Sequence, residues 1–214
     1  MPEYEVKPGD WFAKIVKRQG YGNAWHPIYN HADNQNFRQA CPDPDLLIPG
    51  EKCVLPDKNE KEENKATNKK WKFEMAPGKA QLHVVILRPN GQPLKSTSCK
   101  LVLHGPSVEG RTISTKTDGS GALKCDINTD VETATLTIEG QVIELLVGQL
   151  EPLTTAKGVQ ARLQNLNYHL ETIDGDANTG KAAITAFQKN YTLNDPEGSV
   201  EKQTRAKLKE IYGC

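Results

Sequence analysis

The chain has 214 residues, with Lys plus Arg and Asp plus Glu both at 27, for a formal net charge of zero. That length leaves room for two or three small domains rather than one, and the zero balance argues against a general nucleic-acid binder, which needs a positive surplus to neutralise phosphates. At 36% hydrophobic and 25% charged residues, the composition suits small domains with thin cores. No apolar run approaches the roughly 20 residues of a membrane helix.

The N-terminal stretch Met1-Pro2-Glu3-Tyr4-Glu5 has neither a basic end nor an apolar run, so no secretory signal is expected. Tyr4-Glu5-Val6 reads as a short strand and Pro8-Gly9 as a tight turn. Asp10 is the expected N-cap of a helix whose apolar face is Phe12, Ile15 and Val16. Gly20-Tyr21-Gly22-Asn23 breaks it, and a second helix carries Trp25, Ile28 and Tyr29. A long polar segment, His31 to Pro44, leads through Asp45-Leu46-Leu47-Ile48-Pro49-Gly50 to a final strand, Lys52-Cys53-Val54-Leu55-Pro56.

That strand–helix–helix–strand order resembles the LysM domain. Tyr4-Glu5-Val6-Lys7-Pro8-Gly9-Asp10 stands at one end and Leu47-Ile48-Pro49-Gly50 at the other. The family binds N-acetylglucosamine units of peptidoglycan or chitin in a shallow groove. The resemblance implies groove walls at Gly9, Asp10, Trp11 and Phe12 on one side and Asp45, Leu46, Leu47 and Ile48 on the other. Backbone amides and a carboxylate would meet the acetamido and hydroxyl groups, and apolar side chains would cover the sugar's C–H face. The family usually has Ser or Thr where this chain has Trp11. A tryptophan there can stack on a pyranose, anchor a protein partner or pack internally. The His31–Pro44 segment, which few LysM domains carry, is expected to cover part of the groove or to form a separate platform.

Residues 57–70 have Ala66 as their only apolar member and are rich in Lys, Glu and Asn, which predicts a solvated linker. From Trp71 to Leu150 the periodicity switches to two. Gln81–Leu87, the Cys99, Leu101, Leu103 alternation, Thr112–Lys116, the Leu123, Cys125, Ile127 alternation, Ala134–Glu139 and Val142–Val147 read as strands. Thr117-Asp118-Gly119-Ser120-Gly121 reads as a hairpin turn. Six or seven short strands predict an antiparallel β-sandwich. Asn90-Gly91-Gln92-Pro93-Leu94 and Thr117-Asp118 with Gly121 resemble carboxypeptidase-regulatory-like and transthyretin-like sandwiches, which informs fold and suggests a spacer or docking module.

In the last sixty or so residues, Val159, Leu163 and Leu166 recur at helical spacing and Asp174-Gly175 signals a turn. Asn178 or Thr179 is expected to cap a second helix, with Ala183, Ile184, Phe187 and Tyr191 facing inward. A third helix, Glu201–Ile211, offers Leu208 and Ile211. Val159-Gln160, Arg162-Leu163, Leu166 and Tyr168, the Asp174-Gly175 turn and Ala186-Phe187-Gln188 together resemble the peptidoglycan-binding domain found beside many cell-wall enzymes. The resemblance implies a second wall-binding site at Asp174, Gly175, Phe187 and Gln188. The family's Gly-Pro-Lys-Thr segment is replaced by the shorter Asp176-Ala177-Asn178-Thr179-Gly180.

The five cysteines form no C-x-x-C and no histidine stands at metal-ligand spacing from them, so no zinc site is expected. Cys41 with Cys53, and Cys99 with Cys125, could each close a loop, but the odd count and absent export signal favour thiols, Cys214 among them. There is no H-E-x-x-H and no G-x-S-x-G. Cys99 and His104 are poorly spaced on a strand for a nucleophilic pair, so no catalytic residue and no cofactor is expected.

The expected fold is an α+β multidomain chain. A βααβ LysM-like domain (1–56) and a charged linker (57–70) precede an antiparallel β-sandwich (71–150) and a three-helix peptidoglycan-binding-like domain (151–214). The whole arrangement resembles bacterial proteins associated with type VI secretion or phage-tail-like contractile injection systems. It implies a non-catalytic peptidoglycan binder, an accessory or cargo of such a system, acting at the cell wall, in the periplasm or on a secreted particle. Spike or baseplate proteins are the implied partners besides peptidoglycan. The rival reading is a structural or adaptor component in which the same folds contact protein, and a peptidoglycan hydrolase stands third.

Overall fold

The computed structural model describes residues 2–58, 64–72 and 78–213. The rest of the charged linker (59–63), the residues opening the sandwich (73–77), Met1 and Cys214 lie outside the described residues. The protein is mixed α+β with antiparallel sheets, and it divides into two compact units, Met1–Gln149 and Leu150–Cys214. No helix among the described residues is long and apolar enough to cross a membrane.

In the first unit, β1 (Glu3–Glu5) pairs antiparallel with β2 (Lys52–Val54), Tyr4 opposite Cys53. Between them lie α1 (Phe12–Arg18), α2 (Trp25–Tyr29) and α3 (Gln35–Ala40). Phe12, Ile15 and Val16 bury the i, i+3, i+4 face of α1 against Ile28, Tyr29, Phe37, Leu47 and Leu55. The Phe12 and Tyr29 rings meet edge to face with centroids 5.0 Å apart, the arrangement an aromatic quadrupole favours.

The His31–Pro44 segment contributes Asn34, Phe37 and Cys41 to the buried interior of this region. It forms a 3₁₀ turn at Ala32–Asn34 and then α3, which buries Phe37. Asn34 is fully buried and fully used: its amide donates to Ile28 O and Val54 O, and its carbonyl accepts from Val54 N. A polar residue can be buried when every group it carries is satisfied, and this one ties the segment to the last strand.

Asp10 does not cap α1. Trp11 occupies the N-cap position with extended backbone and no side-chain cap bond. The Asp10 carboxylate instead accepts from Lys7 N at 2.9 Å and Tyr4 OH at 2.8 Å, closing the turn at Pro8-Gly9. Its local hydrogen-bonding options included the preceding turn as well as the helix, and the turn won.

The sandwich has two sheets. One pairs β3 (Lys79–Val85) with β6 (Ala122–Asn128); the other runs β5 (Arg111–Lys116), β4 (Ser98–His104), β7 (Thr133–Ile138), β8 (Gln141–Leu146) in spatial order. Leu82, Leu123 and Ile127 from the first sheet and Leu101, Leu103, Leu136 and Ile138 from the second form one apolar layer, as period-two alternation requires.

The segment 117–121 is a turn but not a hairpin. Its flanking strands β5 and β6 belong to different sheets, so it carries the chain across the core. Asp118 builds the turn by accepting from Ser120 N, Ser120 OH and Ala122 N, a local geometry that does not decide which strands pair. The two-residue hairpin lies instead at Glu139-Gly140, where φ is 48° and 78°, the positive pair a type I′ turn demands.

The second unit packs α4 (Ala156–Asn165), α5 (Lys181–Asn190) and α6 (Lys202–Tyr212) around Val159, Leu163, Leu170, Ala183, Ile184, Phe187 and Leu208. Thr155 caps α4 by accepting from Gly158 N. Neither Asn178 nor Thr179 caps α5: Gly180 stands at its N-cap with no side-chain bond. Asp195, outside α6, takes over the capping of that helix by accepting from Gln203 N and Thr204 N. Tyr191 is more than a third exposed, its ring leaning on Phe187 at 4.9 Å.

Candidate functional site

The eight residues of the expected groove fall into two groups. Phe12 is fully buried and Leu47 nearly so, both in the first unit's own core. Asp10 is committed to Tyr4 and Lys7, and burial and that carboxylate push the Tyr4 phenol up to about 12. Trp11 is 4% exposed and belongs to the sandwich core, beside Leu101, Leu103, Val131 and Val147. Of that wall only Gly9 reaches solvent in part. On the other side Asp45 is exposed and Leu46 and Ile48 are half-buried.

A backbone bond from Phe12 N to Pro44 O, 2.8 Å long, ties the two segments together. The second is shaped by Asp43, whose carboxylate accepts from Asp45 N, and by Ile48 N, which donates to Cys41 Sγ. The surface left open is therefore the edge formed by Asp45, Leu46 and Ile48.

Trp11 explains itself by what surrounds it. A methyl group on Gly148 would overlap its ring, so a bare backbone is the reason the indole fits. Lys14 is nearly fully buried, with its ammonium 4.7 Å from the ring centroid and donating to Gly9 O at 2.8 Å. Burial, and then the neighbouring Arg18, lower the Lys14 pKa. Arg18 reaches across to Glu132 at 2.7 Å. Phe12 and Trp11 are adjacent in sequence yet fill different cores, one on each side of the turn into α1. Stacking on a pyranose would need an exposed ring, so the packing reading is the one this geometry fits.

In the second unit, Asp174 is exposed, Gly175 is partly exposed, and Phe187 and Gln188 are buried. Gln188 shares the two N–H groups of its amide among Pro196 O, Ser199 O and Thr204 Oγ1, and its carbonyl accepts from Gly198 N. It holds the 194–201 loop against α5 and has no capacity left for a ligand.

Gln160 does the same for the other loop. It donates to Asp176 O and to Asp174 Oδ1 and accepts from Gly175 N. The sequence reading missed its role, although a glutamine placed beside the apolar face of a helix, as both of these are, signals an amide braced from inside. Asp174 completes the brace, accepting from Asp176 N, Thr179 OH and Thr172 OH. What this leaves at the surface is an ordered loop, Thr172 to Thr179, with Ile173 43% exposed.

The bond from Asp176 N, followed by that from Thr179, holds the Asp174 carboxyl at about 2 against an ordinary 3.8. A depressed carboxylate stabilises the folded loop fully above its unfolded value and loses that contribution as pH falls towards the folded one. Acid is therefore expected to loosen the loop between about pH 4 and 2, and Asp174→Asn to remove this dependence. Amide exchange at Asp176 and Thr179 reads it, and protection that stays constant down to pH 2 in the native protein would contradict the assignment.

Two further groupings bear on chemistry. His104 Nδ1 lies 2.9 Å from Glu109 Oε1 and Nε2 lies 3.0 Å from Thr135 Oγ1, and the Thr135 hydroxyl donates to Glu144. The hydrogen bond from His104 lowers the Glu109 pKa. The chain of groups spans β4, β7 and β8 on an open sheet face, and a hydroxyl whose proton faces Glu144 is not set up to give it to the imidazole. The four described cysteines are free thiols. Burial pushes Cys53 up to about 12 and raises Cys41, Cys99 and Cys125, so none is poised as a thiolate. Cys214 lies outside the described residues. Among the described residues no group of three or more His, Cys, Asp or Glu is placed to hold a metal ion.

Compared with known proteins, the chain matches no family model, no curated protein and no solved structure.

Proposed function

We propose that the protein is a non-catalytic binder of bacterial peptidoglycan, with a LysM-like N-terminal region and a three-helix peptidoglycan-binding-like C-terminal unit. It serves as an accessory or cargo of a type VI secretion or phage-tail-like injection machine and acts at the cell wall, in the periplasm or on the secreted particle. The observation that carries the reading is the Thr172–Thr179 loop, presented at the surface and braced internally by Gln160 and Asp174. A preorganised loop loses little entropy on binding. The edge at Asp45, Leu46 and Ile48 supplies a second, weaker contact, and two weak sites on one chain raise retention through effective concentration alone.

A second reading has its own support. The burial of Trp11 in the sandwich spends half of the LysM-like groove on an internal contact, which favours a structural or adaptor component of the same machine, docking to spike or baseplate proteins.

Co-sedimentation with insoluble peptidoglycan separates the two. The protein is expected to pellet, with Leu46→Ser and Ile173→Ser each reducing the bound fraction and the pair reducing it more than either. Retention in the supernatant at low salt removes wall binding and leaves the adaptor reading.

A further inference from the structure

On the outer face of the larger sheet, three strands border an open depression of about 550 Å³. It is lined by Ser98 and Lys100 on β4, Ser114 and Lys116 on β5, Thr137 on β7 and Glu139 just beyond that strand. The alternation that sends Cys99, Leu101 and Leu136 into the core sends their neighbours outward.

The register explains the shape. Ser98 stands opposite Lys116, and Lys100 opposite Ser114. The two lysines are therefore diagonal neighbours, roughly 7–8 Å apart at the backbone. Each rises beside a serine of the adjoining strand, and the two small residues leave the hollow between them. Thr137 flanks Lys100 on its other side.

The charges here are not balanced. Among the described residues neither Lys100 nor Lys116 has a carboxylate partner, and the hydroxyls of Ser98, Ser114 and Thr137 make no hydrogen bond. The acids of this face are already engaged. Glu139 accepts from both terminal nitrogens of Arg88, at 2.8 and 3.2 Å. Glu144, two strands away from Lys100, accepts from Thr135, and Glu109 is bonded to His104. Two ammoniums side by side without a counter-charge repel each other, and an oxyanion between them removes that cost.

We propose that this depression binds an acidic sugar, with a phosphate or carboxylate group between the Lys100 and Lys116 ammoniums and ring hydroxyls bonded to Ser98, Ser114 and Thr137. The three free hydroxyls favour a sugar over a bare ion. Each both donates and accepts, which matches a ligand presenting several hydroxyls beside one charge. No aromatic ring lines the depression, so charge and hydrogen bonds hold the ligand and salt weakens it. The site shares no residue with the Asp45–Ile48 edge or the Thr172–Thr179 loop, so it stands whether or not those bind the wall.

Amide chemical shifts of the full chain, followed during titration, test the proposal. The probes are glucose 1-phosphate, digalacturonic acid and, as the neutral control, maltose. Saturable shifts are expected at residues 98–100, 114–116 and 137–140 with at least one acidic probe, and none there with maltose. The tighter of the two acids identifies the source of the anion. Lys100→Gln and Lys116→Gln should each weaken binding by roughly two- to fivefold, the scale of an exposed ion pair. The double variant should abolish the shifts with far-UV circular dichroism unchanged. Lys124→Gln, on the other sheet, should bind as the native chain does. Absence of shifts at these residues with both acids overturns the proposal, as do equal shifts with maltose. So does a double variant that binds normally, or a loss in Lys124→Gln as large as in Lys100→Gln.

Discussion

Trp11→Ala is expected to destabilise the N-terminal unit by about 3–5 kcal/mol, the range for deleting a buried aromatic side chain, and to leave the helical unit's unfolding where it was. The indole is 4% exposed and fills a space that Gly148 keeps clear. Its removal opens a cavity that the neighbouring strands cannot collapse into, since they are pinned by the β4–β7 ladder. The ring nitrogen has no hydrogen-bond partner among the described residues, so the loss is one of packing together with the contact of the Lys14 ammonium over the ring. The chain's three tryptophans, Trp11, Trp25 and Trp71, all lie in the first unit. Urea unfolding followed by fluorescence therefore reports that unit even when one is replaced. Unchanged unfolding together with lost retention on peptidoglycan would mean that the indole serves a ligand after all.

Gln188→Leu should be as severe for the C-terminal unit. The substitution keeps the volume but leaves Gly198 N, Ser199 O and the Thr204 hydroxyl without the partner they share, while Pro196 O keeps its bonds from Ser199 N and Ser199 OH. Each buried polar group stranded in this way costs about 1–3 kcal/mol. Total stability runs at roughly 0.05–0.15 kcal/mol per residue, so a unit this small has little to spare, and it should be largely unfolded at 37 °C. Gln188→Glu tests the same brace differently, because a carboxylate can accept from Gly198 N but cannot donate to the three oxygens. Helical circular dichroism reads both variants. A melting curve for Gln188→Leu within a few degrees of the native one would show that the loop closes without this amide.

What the residues disclose in advance follows from which interactions are local. The alternation of Cys99, Leu101 and Leu103 is enough to place β4, and Val159 with Leu163 is enough to place the inner face of α4, because side-chain period alone decides both. Strand partners are a different matter. Thr117 to Gly121 has the composition of a hairpin, yet the strands beside it go to different sheets, since pairing is decided by core residues far apart in sequence. Asp10 has the chemistry of a helix cap, and the same carboxylate also suits the turn that precedes it.

At the sites, the difficulty was exposure. Trp11, Phe12, Leu47, Phe187 and Gln188 stand where a ligand-contacting motif would put them, but an apolar residue at a motif position serves equally well as core. Only the tertiary packing tells the two apart. Asp45, Leu46, Ile48, Asp174 and Gly175 retain surface, and the brace from Gln160 becomes visible once its three partners are brought within reach.

The contact between Trp11 and Gly148 also bears on how the chain comes to be folded. The two residues are separated by nearly the full length of the first unit, so the indole cannot be buried until almost all of that unit has been made. Long-range closures of this kind slow folding, and during synthesis the N-terminal helices would emerge first with a large aromatic face uncovered. Ribosome-stalled chains ending before Val142 should accordingly show a solvent-exposed Trp11. The protein's most vulnerable interval is then the one in which the first residues wait for the last strand.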